Sequence, residues 1–276
     1  MSAETSISEV LRVRTAILLS ITVLILLAFS STANAQVELA SLQQEPSFSA
    51  DTWHLSVSPY LWLAGLDGNL NLAGHDAAVH QSFGDIFSNL KIGFMGLGEV
   101  RRGRIGVLTD LLFVRVGDQQ AIPVPQLPFP VQVKLTTTTF TLTPEFAYRV
   151  YSQKHFATDA LGGFRYYHLG ANSNFNAGPL GQVSYKGTNN WADITAGARL
   201  LARVTPKIGA FLIGDAGGGG SSPTWEIAYG VGYKVMKNAT AQVGYKRLYF
   251  NRQDGSKFGL DATQQGLVVG TTIRFR

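Results

Sequence analysis

From Thr52 onward, side chains alternate between two characters along stretches of about ten residues, and turn-forming residues separate the stretches. Successive side chains of a strand point to opposite faces of its sheet, so this period of two predicts strands with one apolar and one polar face. In 136–148 one face carries Thr136, Thr138, Phe140, Leu142, Pro144, Phe146 and Tyr148, and the other carries Thr137, Thr139, Thr141, Thr143, Glu145 and Ala147. In 192–203, Ala192, Ile194, Ala196, Ala198 and Leu200 oppose Asp193, Thr195, Gly197, Arg199 and Arg203. In 225–235, Trp225, Ile227, Tyr229, Val231, Tyr233 and Val235 oppose Glu226, Ala228, Gly230, Gly232 and Lys234. A helical period would scatter these charges around the whole circumference.

The connections alternate in length. Short turns are predicted at Arg102-Gly103-Arg104, Ser152–His155, Thr205-Pro206-Lys207 and Met236-Lys237-Asn238. Longer stretches rich in Gly, Asn or Pro lie near 66–90, 117–130, 170–188, 217–223 and 251–264. Short turns on one side and long loops on the other are the habit of outer-membrane barrels. The expected fold is therefore all-β: a transmembrane up-and-down antiparallel barrel of about ten strands. Twelve result if Asn69–Leu72 and Ala77–Phe83 form an added hairpin.

Composition agrees with that reading. Charged residues make up 15% of the 276-residue chain, against roughly a quarter in an ordinary soluble domain, and there are 30 glycines. The absence of cysteine excludes disulfides, a lipoprotein anchor and cysteine-ligated zinc. The net charge of +5 is scattered, and no basic run suggests nucleic-acid binding.

The N-terminal region reads as an address. Arg12 and Arg14 precede an apolar stretch from Thr15 to Phe29, followed by the small-residue triplet Ala33-Asn34-Ala35. This is the layout of a secretory signal peptide spanning 1–35, cleaved after Ala35. The apolar run is shorter than the roughly 20 residues of a membrane-spanning helix. The expected organisation is completed by a linker over 36–51 and a barrel over 52–276. After removal of the signal, only a closed barrel could satisfy every backbone group in lipid.

The same register places an aromatic girdle at two levels. One rim carries Tyr148, Tyr233 and Phe275, and the other Phe113, Tyr166, Trp225 and Tyr249. The final strand sets Leu267, Val269, Thr271, Ile273 and Phe275 on one face, with Arg276 following the terminal aromatic.

Several strings, in order, resemble a family of small proteobacterial outer-membrane β-barrel proteins. They are Ser58-Pro-Tyr-Leu-Trp62 with Gly65-Leu-Asp-Gly68, Phe83–Leu90, Gly103-Arg-Ile-Gly106 with Thr109-Asp-Leu-Leu112, Gly163-Phe-Arg-Tyr166, Gly230-Val-Gly-Tyr233 and Ile273-Arg-Phe275. The likeness covers about 52–276 and departs at Arg247, where an aromatic residue is expected. It implies the fold and the membrane, and no particular activity.

With the polar face inward, the lumen receives Glu99, Asp110, Glu145, Asp159, Asp193, Asp215 and Glu226, together with Arg101, Arg149, Arg165, Arg199, Arg203, Lys234, Lys246 and Arg274. A narrow lumen penalises unpaired charge, so paired charges and a closed interior are expected. The expected role is a non-enzymatic envelope protein with exposed external loops. A narrow porin for small solutes is the main alternative, and a lipid-modifying enzyme using His168 or His75 is a weaker one. Neither His75 beside Asp76 nor the other histidines form a hydrolase pattern with a serine. No catalytic residue, metal site or cofactor is expected. Expected partners are outer-membrane lipid and lipopolysaccharide, and the barrel-assembly machinery acting through the C-terminal strand.

Overall fold

A computed structural model describes residues 52–72, 75–122, 130–255 and 258–275. The expected signal peptide and linker, and Arg276, lie outside the described residues. Eleven strands form one antiparallel sheet: β1 (Trp53–Leu72), β2 (His75–Gln81), β3 (Leu90–Arg102), β4 (Ile105–Ile122), β5 (Val131–Gln153), β6 (Phe156–Asn176), β7 (Gln182–Arg203), β8 (Ile208–Gly219), β9 (Ser221–Lys234), β10 (Ala239–Asp254) and β11 (Phe258–Phe275). Each strand pairs with its chain neighbour, and β11 closes the ring on β1 from Leu55↔Phe275 to Leu72↔Phe258. Closure leaves no free sheet edge over the height at which the ring is complete, which is what makes a sheet viable in lipid.

The ring has ten positions although it has eleven strands. On the flank of β1 away from β11, β3 pairs with Trp53–Pro59, and β2 pairs with Leu66–Leu72. The two strands share one position, one above the other. The first long stretch thus does form the hairpin weighed in the sequence, yet it adds no position to the barrel.

The four short turns fall where the alternation places them. At the β3–β4 turn, Gly103 has φ 55°, a left-handed conformation that a side chain would strain. The long connections differ from expectation. Residues 117–122 and much of 170–188 and 251–264 are strand rather than loop, and Gly217–Gly219 belongs to β8, leaving a tight turn at Gly220. Between β2 and β3 lies a short helix, α1 (Phe83–Ser88). Ser82 caps it: its Oγ accepts from the Asp85 amide at 3.2 Å, and the Asp85 carboxylate accepts from the Ser82 amide at 2.9 Å. This reciprocal pair is a capping box.

Registers of β4 through β7 are constant apart from one shift near the lower turn, so each row across them shares a face. Outward rows run from Ile105–Tyr148–Ala160–Ala198 up to Phe113–Phe140–His168–Asn190. They are mostly apolar, and their side chains stand exposed, as Phe146 at 51% and Ile194 at 76%. From Tyr148 to Phe140 the chain climbs roughly 26 Å along the strand, or about 20 Å in height at the usual tilt, close to the apolar band of such barrels. The inward rows carry buried Asp159, Arg165, Asp193 and Arg199.

Above the Phe113 row the polarity inverts. Outward rows become Arg115–Thr138–Gly170–Thr188, Gly117–Thr136–Asn172–Lys186 and Gln119–Lys134–Asn174–Ser184. Inward rows become Val116–Thr137–Ala171–Gly187, Asp118–Leu135–Ser173–Tyr185 and Val133–Phe175–Val183. The strands of β10, β11 and β1 invert as well: Asn251, Asp261 and Asn69 face out, while Phe250, Ala262, Leu260 and Leu70 lie on the inner face. The outer wall is thus matched to oil over one height and to water above it.

Candidate functional site

The lumen is filled in layers. In the lowest, Asp159 on β6 receives three guanidinium groups: Arg101 Nη2 at 3.0 Å, Arg199 Nη2 at 2.6 Å, and Arg149, which pairs with Oδ1. Glu99 on β3 accepts Arg101 Nε at 2.7 Å and a two-point contact from Arg199. Local sequence makes room for this crowding. Gly106 lies on the inner face, where a Cβ would come within 3.3 Å of the Arg101 guanidinium carbon. Three cations and two carboxylates, all but Glu99 almost fully buried, form a unit drawn from β3, β5, β6 and β7.

A second charged layer lies above. Lys246 Nζ on β10 sits 2.5 Å from Asp110 Oδ2 and 3.0 Å from Glu226 Oε1. Arg165 Nη2 on β6 meets Asp215 Oδ2 at 2.7 Å and Glu226 Oε2 at 3.3 Å. Tyr60 Oη donates to Asp110 Oδ1 at 2.7 Å. Asp110, Lys246, Glu226, Asp215 and Arg165 thereby connect β4 to β6 through β8, β9 and β10, across the lumen rather than along its wall. Such pairing offsets much of the cost of withdrawing these charges from water.

A third layer is aromatic, and sequence reasoning missed it. Trp62, Leu112, Tyr167, Trp191, Leu248, Phe250 and Ala262 are buried together on the inner face. Tyr167 stacks on Trp191 with ring centres 4.7 Å apart and meets Phe250, from β10, at 5.3 Å. Their polar atoms are satisfied: Trp191 Nε1 donates to Ser221 Oγ at 2.7 Å, Tyr167 Oη and Thr224 Oγ1 lie 2.9 Å apart, and Trp62 Nε1 donates to the Lys246 carbonyl at 3.3 Å. Buried Tyr and Trp demand such partners. Inward parity of these residues was readable from the alternation, and it was the signal available for finding them. Between the aromatic and second charged layers lies a cavity of about 10 Å³, lined in part by Trp62, Thr143 and Lys246. That is room for a single water at most.

Ten of the fifteen sequence-predicted lumen residues join these two ion-pair layers. The other five do not. Asp193 is fully buried, but it accepts from the Ser221 amide at 2.5 Å and has no Lys or Arg within pairing distance among the described residues. Glu145 is buried and accepts from Thr195 Oγ1 at 3.4 Å. Arg203, Lys234 and Arg274 are inward by parity but sit at the lower rim, where Arg274 donates to Thr240 Oγ1 at 3.0 Å. Near the rim water can solvate a charge, so no partner is required there.

All seven predicted girdle residues lie on the outer face. Tyr148, Tyr233 and Phe275 are exposed at the lower level. At the upper level Trp225 stacks on Tyr249 with centres 5.9 Å apart, and Tyr166 meets Phe140 edge-on at 6.2 Å. His80 and His168 are separate from both layers. His80 pairs with Asp67 on the outer surface, and His168 Nδ1 lies 2.6 Å from Asn190 Oδ1. Among the described residues, no cluster of His, Asp or Glu could hold a metal ion.

No protein-family model matches the chain, and no curated protein sequence matches it significantly. Solved structures do. The chain is similar to the outer membrane protease OmpT from Escherichia coli, with a TM-score of 0.52 at 9% identity over 85% of this chain and all of that one. The translocator domain of the autotransporter NalP from Neisseria meningitidis gives 0.42 at 13% identity, covering 86% and 91% of the two chains. Ail, the attachment invasion locus protein of Yersinia pestis, gives 0.37 at 10%, covering 81% and 98%. The likeness to OmpT establishes the fold: this is a β-barrel of the outer-membrane type. At such identity it carries no activity across.

Proposed function

We propose that this protein is an integral outer-membrane barrel of a Gram-negative envelope, non-enzymatic, with a lumen closed to solutes. The observation that carries the reading is cross-lumen contact in each of the three layers. Arg199 to Glu99, Lys246 to Asp110 and Tyr167 to Phe250 each join strands that are not neighbours in the ring. An outward apolar band between two aromatic levels supports membrane insertion. The histidine environments support a non-enzymatic role, since His80 and His168 are engaged by Asp67 and Asn190 rather than by a nucleophile.

Delivery by a signal peptide cleaved after Ala35 belongs to the same proposal, as does recognition of the closing strand by the assembly machinery through exposed Phe275. Lipopolysaccharide is the proposed lipid partner. Arg115, Lys134 and Lys186 face out just above the upper girdle with no acid in their rows, and Lys91 crosses over Gly117 beside them. That is the height at which lipid phosphates meet the barrel.

Two measurements test the proposal. The folded chain should migrate differently on SDS gels before and after heating, and in planar bilayers it should give no stable discrete openings. Step-like conductance would overturn the closed lumen. Release from cells by osmotic shock without detergent would overturn the membrane assignment.

A further inference from the structure

Above the upper girdle, the outward wall from β4 to β7 carries chemistry that insertion into a membrane does not use. Two neighbouring rows, Gln119–Lys134–Asn174–Ser184 and Ala121–Gln132–Asn176–Gln182, put five side-chain amides and one ammonium on a single face. Gln119, Gln132, Lys134, Asn174, Asn176 and Gln182 line one open depression of about 220 Å³. Gln132 and Asn174 are half-buried there, and the other four are exposed. Among the described residues, Asn176 Oδ1 accepts from the Gly178 amide at 2.9 Å, and the other four amides make no hydrogen bond. No carboxylate shares these rows or the two rows below them, and Asp118, the nearest acid in sequence, stands on the inner face. The outer wall of β1 and β11 differs, since Asp67 and Asp261 face out there.

An amide offers donors and an acceptor in one plane, which suits the mixed hydrogen bonding of sugar hydroxyls. Strands about 4.8 Å apart, with rows two residues apart, space these groups at about the size of a sugar ring. The depression has no large apolar side chain in its lining to hold a lipid tail. Position then names the source. Arg115 faces out two residues above the girdle residue Phe113. Lys91 lies across Gly117 two residues higher, where a Cβ would come within 2.8 Å of its Cε. The depression begins at Gln119, about 20 Å beyond Phe113 along the strand, or about 15 Å in height at the usual tilt. Cations therefore stand at the level of lipid phosphates, and amides stand above them in the same column. In the outer leaflet, lipopolysaccharide is the molecule that carries phosphates below and sugars above.

We infer that this depression seats a sugar of the lipopolysaccharide core. Its hydroxyls exchange hydrogen bonds with Gln132 and Asn174, and its anionic substituents meet Lys134, while the phosphates of the same molecule lie on Arg115 and Lys91. The inference rests on lipopolysaccharide being the lipid partner, and it adds a selectivity for the sugars beyond lipid A.

The test uses the full barrel folded in detergent micelles, with each variant first checked for heat-dependent mobility. Thermophoresis measures its affinity for two purified lipids, lipid A alone and lipopolysaccharide bearing a complete core, with dextran as a soluble sugar control. The core-bearing lipid should bind about tenfold tighter than lipid A, the worth of one or two hydrogen bonds. Gln132→Leu combined with Asn174→Leu should erase that tenfold and leave lipid A binding unchanged. Arg115→Gln combined with Lys91→Gln should weaken both lipids alike. Equal binding of the two lipids by the parent overturns the sugar site while the lipid partner stands, and binding of neither overturns both. A preference for the core that survives the double Leu variant puts the sugars elsewhere and overturns the site. Dextran binding as tight as that of the core-bearing lipid would assign the depression to polysaccharide in solution and overturn the proposal.

Discussion

Arg199 grips Glu99 from the far side of the lumen, with Nη1 to Oε2 at 2.8 Å and Nη2 to Oε1 at 2.9 Å, while Nε and Nη2 turn to Asp159 Oδ2 at 3.0 and 2.6 Å. The two-point geometry suits a planar guanidinium and no other side chain. Arg199→Ala should cost about 3–5 kcal/mol, because it leaves two carboxylates short of a cation in a place water does not reach. Arg199→Lys should cost less, keeping the charge but losing the fork. Urea unfolding in lipid vesicles measures both, and an Ala variant as stable as the parent would mean that this layer is wet.

Asp193 calls for a different expectation, since its partner is a backbone amide rather than a cation. Asp193→Ala strands the Ser221 N–H at the base of the β8–β9 turn and should destabilise by about 1–3 kcal/mol. Asp193→Asn keeps an acceptor and should lose about 1 kcal/mol or less. Equal losses in the two variants would show that the charge matters after all.

Gly220 tests the aromatic layer. A Cβ there would come within 2.7 Å of both Trp191 Cβ and Cδ1. Trp191 is locked between Tyr167 and Ser221, so Gly220→Ala should displace the indole at a cost of about 1–3 kcal/mol. Its near-ultraviolet circular dichroism should change, and an unchanged spectrum would show that the turn moves instead.

Helix α1 carries a pH prediction. Hydrogen bonds from the Ser82 hydroxyl and amide hold the Asp85 carboxyl below its ordinary 3.8. A depressed folded value contributes stability above the ordinary carboxylate range, and that contribution is lost as pH falls through the folded value. Between pH 7 and 5 the cap should therefore be unaffected. Ser82→Ala should raise the Asp85 midpoint toward 3.8, as followed by carboxyl NMR titration, and a stationary midpoint would remove the capping box from the account.

The chain has no cysteine, so single introduced thiols report position without background. Ile194→Cys and Phe146→Cys should react with a membrane-soluble maleimide and resist a charged one. Asn174→Cys and Lys186→Cys should do the reverse. Reaction of Ile194→Cys with the charged reagent would collapse the assignment of faces.

The alternation along the chain was enough to determine the strands through 136–148, 192–203 and 225–235, the four tight turns and the face on which each charge lies. Period two is a local property of extended backbone, and it survives whatever the strand packs against. For the same reason the seven girdle residues and the ten ion-paired lumen residues were legible. What was not legible followed from distance and contrast. Above the bilayer the polar and apolar faces exchange places and Gly, Asn and Thr dilute both, so extended strand read as loop. The Ser82–Asp85 cap was present in sequence as a helix signal, but it lay beside a stretch read as strand.

Only tertiary structure could decide which charges meet. Glu99 and Arg199 are a hundred residues apart, and nothing local distinguishes Arg199, which bridges the lumen, from Arg203, which ends at the rim of the same strand in a different solvent. The same holds for Trp62, Tyr167, Trp191 and Phe250: each strand contributes one inward ring, and it is closure of the ring of strands that brings them into a single layer. Within the strands that the alternation marks, sequence set the direction of each side chain, and the curvature of the closed sheet set its neighbours.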